Sequence, residues 1–436
     1  MPQGVRIYNL FPLLAGNAKE WEAHLDRIAG MGFDWIFLNP IHYPGFSGSL
    51  YAVKDYYALN PLFDDGSGDE PDVVVARFLK AAEARGIKVM MDLVVNHTAK
   101  DSLLAAEHPE WFAHEPDGSL ASPFAVDPSD TSKRTVWADL AEIDYSERPE
   151  RAALVAWFAG LVRHYVQLGF RGFRCDAAYK VSKDVWRTLI AAGQKESDDV
   201  LFVAENLGSL LEETLALRGA GFDYLFNSVK WWDFKEYWLL DQYEQFRSIA
   251  PSIAFPETHD TDRLINELAA KGITEPTAVE QQYRDAYLIA ALFSSGVMIP
   301  IGYEYGFRKK LHVVKTRSSD WEKPAFDLTA WIAEVNRVKG SLPVLNEEGP
   351  QRALLLGDKR VACLLRRAMR GPAWVVTLIN LERKVPVTAR IEWLDGDVLE
   401  GREVTPGRAA GLPERPFRAG AEVTLAPGEV RVYANR

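Results

Sequence analysis

The sequence predicts a (β/α)8 TIM barrel interrupted by a small insertion after its third strand and followed by a C-terminal all-β sandwich domain. Three observations carry this. Between residues 5 and 340, short apolar stretches that end in polar residues alternate with amphipathic helical stretches; the rhythm breaks once, between residues 98 and 150; and beyond about Ser341 apolar residues recur at every second position between Gly, Pro and Asp turns. The expected division is therefore 1–97 and 151–340 for the barrel, 98–150 for an inserted subdomain and 341–436 for the β-sandwich.

Val5 to Phe11 reads as the first strand, and Trp21 to Met31 as a helix stopped by glycine. The second strand, Phe33 to Pro40, is almost continuously apolar, as a parallel strand covered on both faces should be. A loop rich in Gly and aromatic residues, Ile41 to Asp65, leads to a helix over Val73 to Arg85 and a third strand over Ile87 to Val95. After the insertion come a helix at Ala152 to Leu168, a fourth strand at Phe170 to Asp176, a helix at Val185 to Ala192 and a fifth strand at Val200 to Glu205. Strands six to eight fall at Phe222 to Asn227, Ser252 to Pro256 and Gly296 to Ile301, with a helix at Tyr283 to Ser294 before the last. The period-two segments that follow are Ala353 to Leu356, Val361 to Leu365, Trp374 to Asn380, Pro386 to Trp393, Glu422 to Leu425 and Val430 to Tyr433.

With 47% hydrophobic and 25% charged residues among 436, the chain has the composition of an ordinary globular protein with a sizeable core. Its formal charge of −11 argues against nucleic acid or an anionic membrane as partner and fits neutral substrates. Cys175 and Cys363 lie far apart and outside any metal-ligand spacing, which predicts neither a disulfide nor a zinc site. Met1 leads almost directly into the first strand with no leader-like pattern, and no apolar run reaches membrane-spanning length, so the expected location is cytoplasmic.

In a barrel, the residues at the C-terminal ends of the strands surround the active site. Strand three ends in Asp92, Asn96 and His97, strand four in Arg174 and Asp176, strand five in Glu205, and Glu257-Thr-His-Asp260 follows strand seven. So many ionisable groups converging on one mouth are not ordinary solvated surface. Asp176 and Glu205, on adjacent strands, suit the paired-carboxylate chemistry of glycoside cleavage; Arg174, two residues before Asp176, would keep that carboxylate ionised and aimed.

Asp92-Leu-Val-Val-Asn-His97, Gly172-Phe-Arg-Cys-Asp-Ala-Ala-Tyr-Lys180, Ala204-Glu-Asn206 and Thr258-His-Asp260, in this order, resemble the four sequence regions of the α-amylase family of glycoside hydrolases. The resemblance implies Asp176 as nucleophile, Glu205 as general acid/base and Asp260 as the carboxylate that holds the sugar. It further implies that His97 and His259 bond the sugar, that Lys180 lines the leaving-group side, that Asp92 is a supporting carboxylate and that Tyr51 stacks on the substrate. The stretch Gly48 to Lys54 with His108-Pro-Glu-Trp-Phe112 is similar to the maltosyltransferase branch of that family. Asn96 matches a residue that binds calcium in many amylases, but no partner aspartate between 98 and 150 can be assigned, so no metal or other cofactor is named. Trp231-Trp232 after strand six suits either a sugar-stacking platform or the core.

The resemblance implies a retaining hydrolase of α-1,4-glucosidic bonds in α-glucans or maltooligosaccharides. The alternative is a maltosyl- or 4-α-glucanotransferase that shares the covalent intermediate. A catalytically silent sugar-binding scaffold is the third reading, and the presence of all three carboxylates argues against it.

Overall fold

The structure, a computed structural model, describes residues 4–127, 130–354, 356, 358–391, 400–408, 417–418 and 420–435. Eight parallel strands close a barrel: β1 (Arg6–Asn9), β2 (Trp35–Leu38), β3 (Lys88–Leu93), β4 (Gly172–Cys175), β5 (Leu201–Ala204), β6 (Tyr224–Phe226), β7 (Ser252–Ala254) and β8 (Gly296–Pro300). Each strand pairs with its neighbours in chain order, and β8 closes onto β1. The expected fold class is the observed one.

Strand alternation decides what points inward. Ile7, Trp35, Phe37, Met90, Val203, Phe226, Ile253 and Phe255 fill the barrel interior. Space inside is short: a Cβ on Gly172 would stand 3.0 Å from both the Met90 Cβ and the Trp35 ring, so β4 enters the barrel on a glycine. One pleat further along β1 to β5 the inward positions become Asn9, Asn39, Asp92, Arg174 and Glu205. The polar mouth is thus the same face of the same strands as the apolar plug beneath it.

Helices Pro71–Glu83, Arg151–Leu168, Lys183–Glu196 and Pro276–Phe293 cover the outside. The single helix expected over Trp21 to Met31 is two, Ala18–Glu22 and Leu25–Gly30; the first begins in a capping box made by Asn17 and Glu20, and Trp21, Leu25 and Ile28 stay buried across the break. Between β3 and β4, His97–Ala99 pairs with Leu140–Glu142, and Phe124–Asp127 pairs with Asp130–Val136 as a hairpin.

The C-terminal segment forms a six-stranded antiparallel sheet in the order β9 (Gln351–Ala353), β10 (Val361–Arg367), β11 (Trp374–Asn380), β16 (Val430–Ala434), β13 (Glu400–Glu403), β14 (Phe417–Arg418), with β12 (Val387–Arg390) paired to β15 (Glu422–Leu425) in a second sheet. Leu365, Val376 and Leu378 of the first sheet share a core with Val387, Ala389 and Leu425 of the second. The strand expected at Ala353 to Leu356 ends at Ala353, and the one expected at Pro386 to Trp393 runs out of the described residues after Ile391. Strands β13 and β14 have no apolar alternation to mark them. Both cysteines are buried and unpaired, and among the described residues no helix is long and apolar enough to cross a membrane.

Candidate active site

Arg174 stands opposite Asp92 in the β3–β4 register, and its side chain is 6% exposed. Its Nη1 donates to both Asp92 carboxylate oxygens at 2.9 and 3.0 Å and to Asp176 Oδ1 at 2.5 Å. One guanidinium therefore serves two carboxylates. Asp92 is wholly buried, and burial pushes its carboxyl up to about 7 against the opposing pull of Arg174.

After Asp176 the chain turns through Ala177, whose φ of 40° is the left-handed region that an alanine rarely adopts. That turn aims the Ala177 N–H at Glu205 Oε2, 3.0 Å away, while the Leu207 N–H donates to Glu205 Oε1 at 2.7 Å. Burial, with the negative charges of Asp176 and Asp260, lifts the Glu205 carboxyl to about 7, although Arg174 and the Leu207 N–H pull the other way. The two carboxylates on neighbouring strands thus have opposite surroundings: Asp176 lies on a guanidinium and Glu205 in a buried pocket with two backbone donors.

Tyr51 reaches in from the loop after β2. Its hydroxyl donates to Asp92 Oδ2 at 2.7 Å, lies 2.9 Å from His259 Nε2 and receives the Asn39 amide N–H at 2.9 Å. His259 Nε2 is also 3.0 Å from Asp260 Oδ2. Asp260 stands at the open mouth with its side chain 67% exposed. Enclosure by the mouth works to raise its carboxyl, but His259, Arg174 and Lys310 outweigh it and hold it at about 2. The rings of Tyr51 and His259 lie 9° from parallel with centroids 6.0 Å apart, and the Tyr51 hydroxyl is the anchored end of its side chain.

A cleft of about 600 Å³ opens above these groups. Tyr51, His97, Arg174, Asp176, Lys180, Glu205 and Asp260 all line it, and Asp92 and His259 sit behind Tyr51. His97 is buried beside the cleft with no partner on Nε2 among the described residues, and burial lowers its pKa against the pull of Asp176. Lys180 is loosely paired to Glu213 at 3.4 Å. Of the tryptophan pair, Trp232 is core and donates its indole N–H to the Glu236 carbonyl, whereas Trp231 is 52% exposed and packs edge-on against Phe255; a two-ring platform is therefore ruled out, because neighbouring side chains face opposite ways.

Sequence reasoning missed several members of the site. Phe124 and Trp137, beside the hairpin of the insertion, line the cleft together with Tyr179, and Asn39 supports Tyr51 from below. Asn39 has a signal in the sequence, since it ends β2 as Asp92 ends β3. Asn96 lines the cleft with its Oδ1 unpartnered, but among the described residues no group of three or more His, Cys, Asp or Glu side chains is arranged to hold a metal ion.

The family model for the glucanotransferase domain of glycogen debranching enzyme matches residues 2–118. An α-1,4-glucan:maltose-1-phosphate maltosyltransferase of Burkholderia pseudomallei is 25% identical over 360 residues, 81% of this chain and 30% of the relative. Its counterpart in Myxococcus xanthus is 26% identical over 411 residues, 86% of this chain and 58% of the relative. An α-amylase from Geobacillus thermoleovorans, solved with acarbose, superposes with a TM-score of 0.75 at 19% identity over 100% of this chain and 98% of that one. The chain resembles the α-amylase family in sequence and in fold. The chain spans 30% and 58% of the lengths of those two maltosyltransferases, and its likeness to the Geobacillus amylase is one of fold.

Proposed function

We propose that this chain is an enzyme of the α-amylase family that hydrolyses α-1,4-glucosidic bonds of neutral α-glucans or maltooligosaccharides with retention of configuration. The observation that carries the reading is the pair of unlike carboxylates: Asp176 held on Arg174, Glu205 buried and lifted to about 7. The Asp176 carboxylate attacks the anomeric carbon while the Glu205 carboxylic acid gives its proton to the departing glycosidic oxygen. Glu205, now ionised, takes a proton from water, which displaces Asp176 from the same carbon and restores both groups. Asp260 and His97 hold the sugar hydroxyls, while His259, buried behind Tyr51 and therefore not the sugar ligand the resemblance implied, positions Asp260.

The charge of the cleft supports a neutral substrate. Asp139, Glu142, Asp176 and Asp260 line it against two permanent cations, Arg174 and Lys180, and Arg174 is already engaged by two carboxylates. A phosphorylated leaving group would enter against that field. Maltosyl or glucanosyl transfer is the second reading, favoured by the names of the relatives and by the glucanotransferase family model. It differs only in which hydroxyl displaces Asp176.

Incubation with maltooligosaccharides should release shorter sugars of α configuration, read by proton NMR in the first minutes. An initial β product would overturn retention. Elongated products in the presence of added acceptor, or turnover of maltose 1-phosphate, would decide for transfer, and no release of sugar from any of these would leave only a binding scaffold.

A further inference from the structure

We infer that Asn39 is a positioning residue of this site: its amide commits the single proton of the Tyr51 hydroxyl to Asp92 and so helps to hold Asp92 as the acceptor for Arg174. The inference rests in part on the proposed reading, because only there does Arg174 serve catalysis, but the hydrogen bonds on which it stands do not.

The direction of the chain of bonds is fixed at a backbone carbonyl, which can only accept. Asn9 Nδ2 lies 3.1 Å from the Phe37 carbonyl oxygen and 2.8 Å from Asn39 Oδ1. The nitrogen of Asn9 must face Phe37, so it is the oxygen of Asn39 that faces Asn9 and the nitrogen of Asn39 that faces Tyr51. Asn9 Oδ1 is left without a partner among the described residues, so the two amides are not held this way by a full complement of their own bonds. Asn9 and Asn39 are both wholly buried.

A phenol has one proton to give. With an N–H entering its oxygen from Asn39, Tyr51 cannot donate in that direction, and the Asp92 carboxylate at 2.7 Å is the strongest acceptor in reach. The remaining lone pair faces His259 Nε2 at 2.9 Å, whose N–H is then shared between Tyr51 and Asp260. An N–H on Nδ1 instead would be buried with nothing among the described residues to receive it. A donor entering a hydroxyl oxygen also strengthens what that hydroxyl donates onward. Asn39 therefore acts on Asp92 through Tyr51, across two hydrogen bonds, and touches neither the cleft nor the reacting groups.

Asp92 is faced by Arg174 and Asp176 from β4 and the turn after it, by Tyr51 from the loop after β2 and by His259 from the loop after β7. Of these, only Tyr51 depends on Asn39. The test is the titration of the Asp92 carboxyl in the free protein, read by carbon-13 NMR on aspartate-labelled samples and assigned by its loss in Asp92→Asn. Removing a donor from a carboxylate makes its charged form harder to reach, so each change should move the midpoint upward. Tyr51→Phe should raise it by about one to two pH units, the worth of a hydrogen bond to a charged group. Asn39→Ala should raise it by a few tenths of a unit, the smaller effect of a weakened donor, and should add nothing to Tyr51→Phe. Asn39→Ser, whose hydroxyl can again donate, stands in should the alanine variant not fold, and is expected to shift less in the same direction. An unchanged midpoint in the Asn39 variants overturns the inference. So does a shift that persists undiminished in the Tyr51→Phe background, which would mean that Asn39 acts on Asp92 by another route. Because the titration needs no substrate, failure of wild-type protein to release sugar would count against the glycosidase reading alone.

Discussion

A carboxylic acid that must give up a proton at neutral pH has to be kept from ionising, and burial does this for Glu205. Its folded value of about 7 lies above the ordinary one of 4.5, so Glu205 is protonated and able to act as acid below about pH 7 and loses that capacity above it. The alkaline limb of kcat/KM should therefore fall near pH 7, and Glu205→Gln should remove that limb along with most turnover of ordinary glucans. The same variant should still form the covalent intermediate from a glycosyl fluoride, whose leaving group needs no proton. Near wild-type cleavage of maltooligosaccharides by Glu205→Gln would remove Glu205 from the role. The stability consequence has a definite sign. An acid whose folded pKa is raised binds its proton more tightly folded than unfolded, so its contribution is fullest below 4.5 and is lost as pH rises toward 7. Glu205→Gln should consequently be more stable than wild type at pH 8, by on the order of 3 kcal/mol, and less different from it at pH 4. Denaturant titrations at the two pH values measure this. Arg174 carries the converse lesson. The sequence alone suggests a residue that keeps Asp176 ionised and aimed, but the structure buries it between Asp92 and Asp176. Arg174→Ala should cost about 3–5 kcal/mol of stability as well as activity, since it strands a buried carboxylate; an unchanged unfolding midpoint would count against that.

At the scale of elements, the informative piece is the turn from Asp176 to Ala178, where a left-handed alanine directs one backbone N–H onto Glu205. Relaxing the turn with Ala177→Gly should leave stability unchanged or raise it by up to about 1 kcal/mol, while lowering kcat because the donor to Glu205 is no longer held. A gain in both would show that the strain has no functional counterpart. Such a turn is invisible in Asp-Ala-Ala-Tyr, which reads as an ordinary helical start. The strands themselves are legible: Phe37-Leu-Asn39 and Met90-Met-Asp92 repeat one design, an inward apolar residue and then an inward polar one. An ionisable strand end stands out in a sequence, whereas an asparagine there reads equally well as turn or capping chemistry, although Asn39 occupies the same inward position as Asp92. The hairpin from Phe124 to Val136 is hidden for a different reason. Its second strand, Asp-Thr-Ser-Lys-Arg-Thr-Val, has no apolar alternation, because it faces solvent rather than a core. Its neighbour Trp137 is 42% exposed on the cleft wall, so Trp137→Ala should raise KM for long maltooligosaccharides several-fold and leave small activated donors little changed.

At the scale of the whole molecule, the β domain is tied into the barrel at the helix that precedes β8. The last carbonyls of Pro276–Phe293 have no partners within the helix, and two buried basic side chains supply donors to them. Lys339 Nζ donates to the Ala291 and Ser294 carbonyls at 2.8 and 2.7 Å, and Arg366 of β10 donates to those of Phe293 and Leu292 at 2.7 and 3.2 Å. Arg366 also reaches the Glu347 carbonyl and lies 3.7 Å from Glu348, which in turn holds Ser252 and Ser295 at the starts of β7 and β8. A single residue of the C-terminal sheet thus secures the helix end and the strand starts that close the barrel. Solvent-exposed ion pairs contribute under about 1 kcal/mol each, whereas Arg366→Met should cost about 3 kcal/mol, because it removes several charge-assisted bonds from buried acceptors. Since those acceptors belong to the barrel, the loss should lower one cooperative unfolding transition of the entire chain, followed by circular dichroism and by tryptophan fluorescence together. If Arg366→Met instead produced an early transition confined to the β domain, with the barrel melting where it does in wild type, the two parts would be independent and the capping of Phe293 by Arg366 would be incidental to barrel closure.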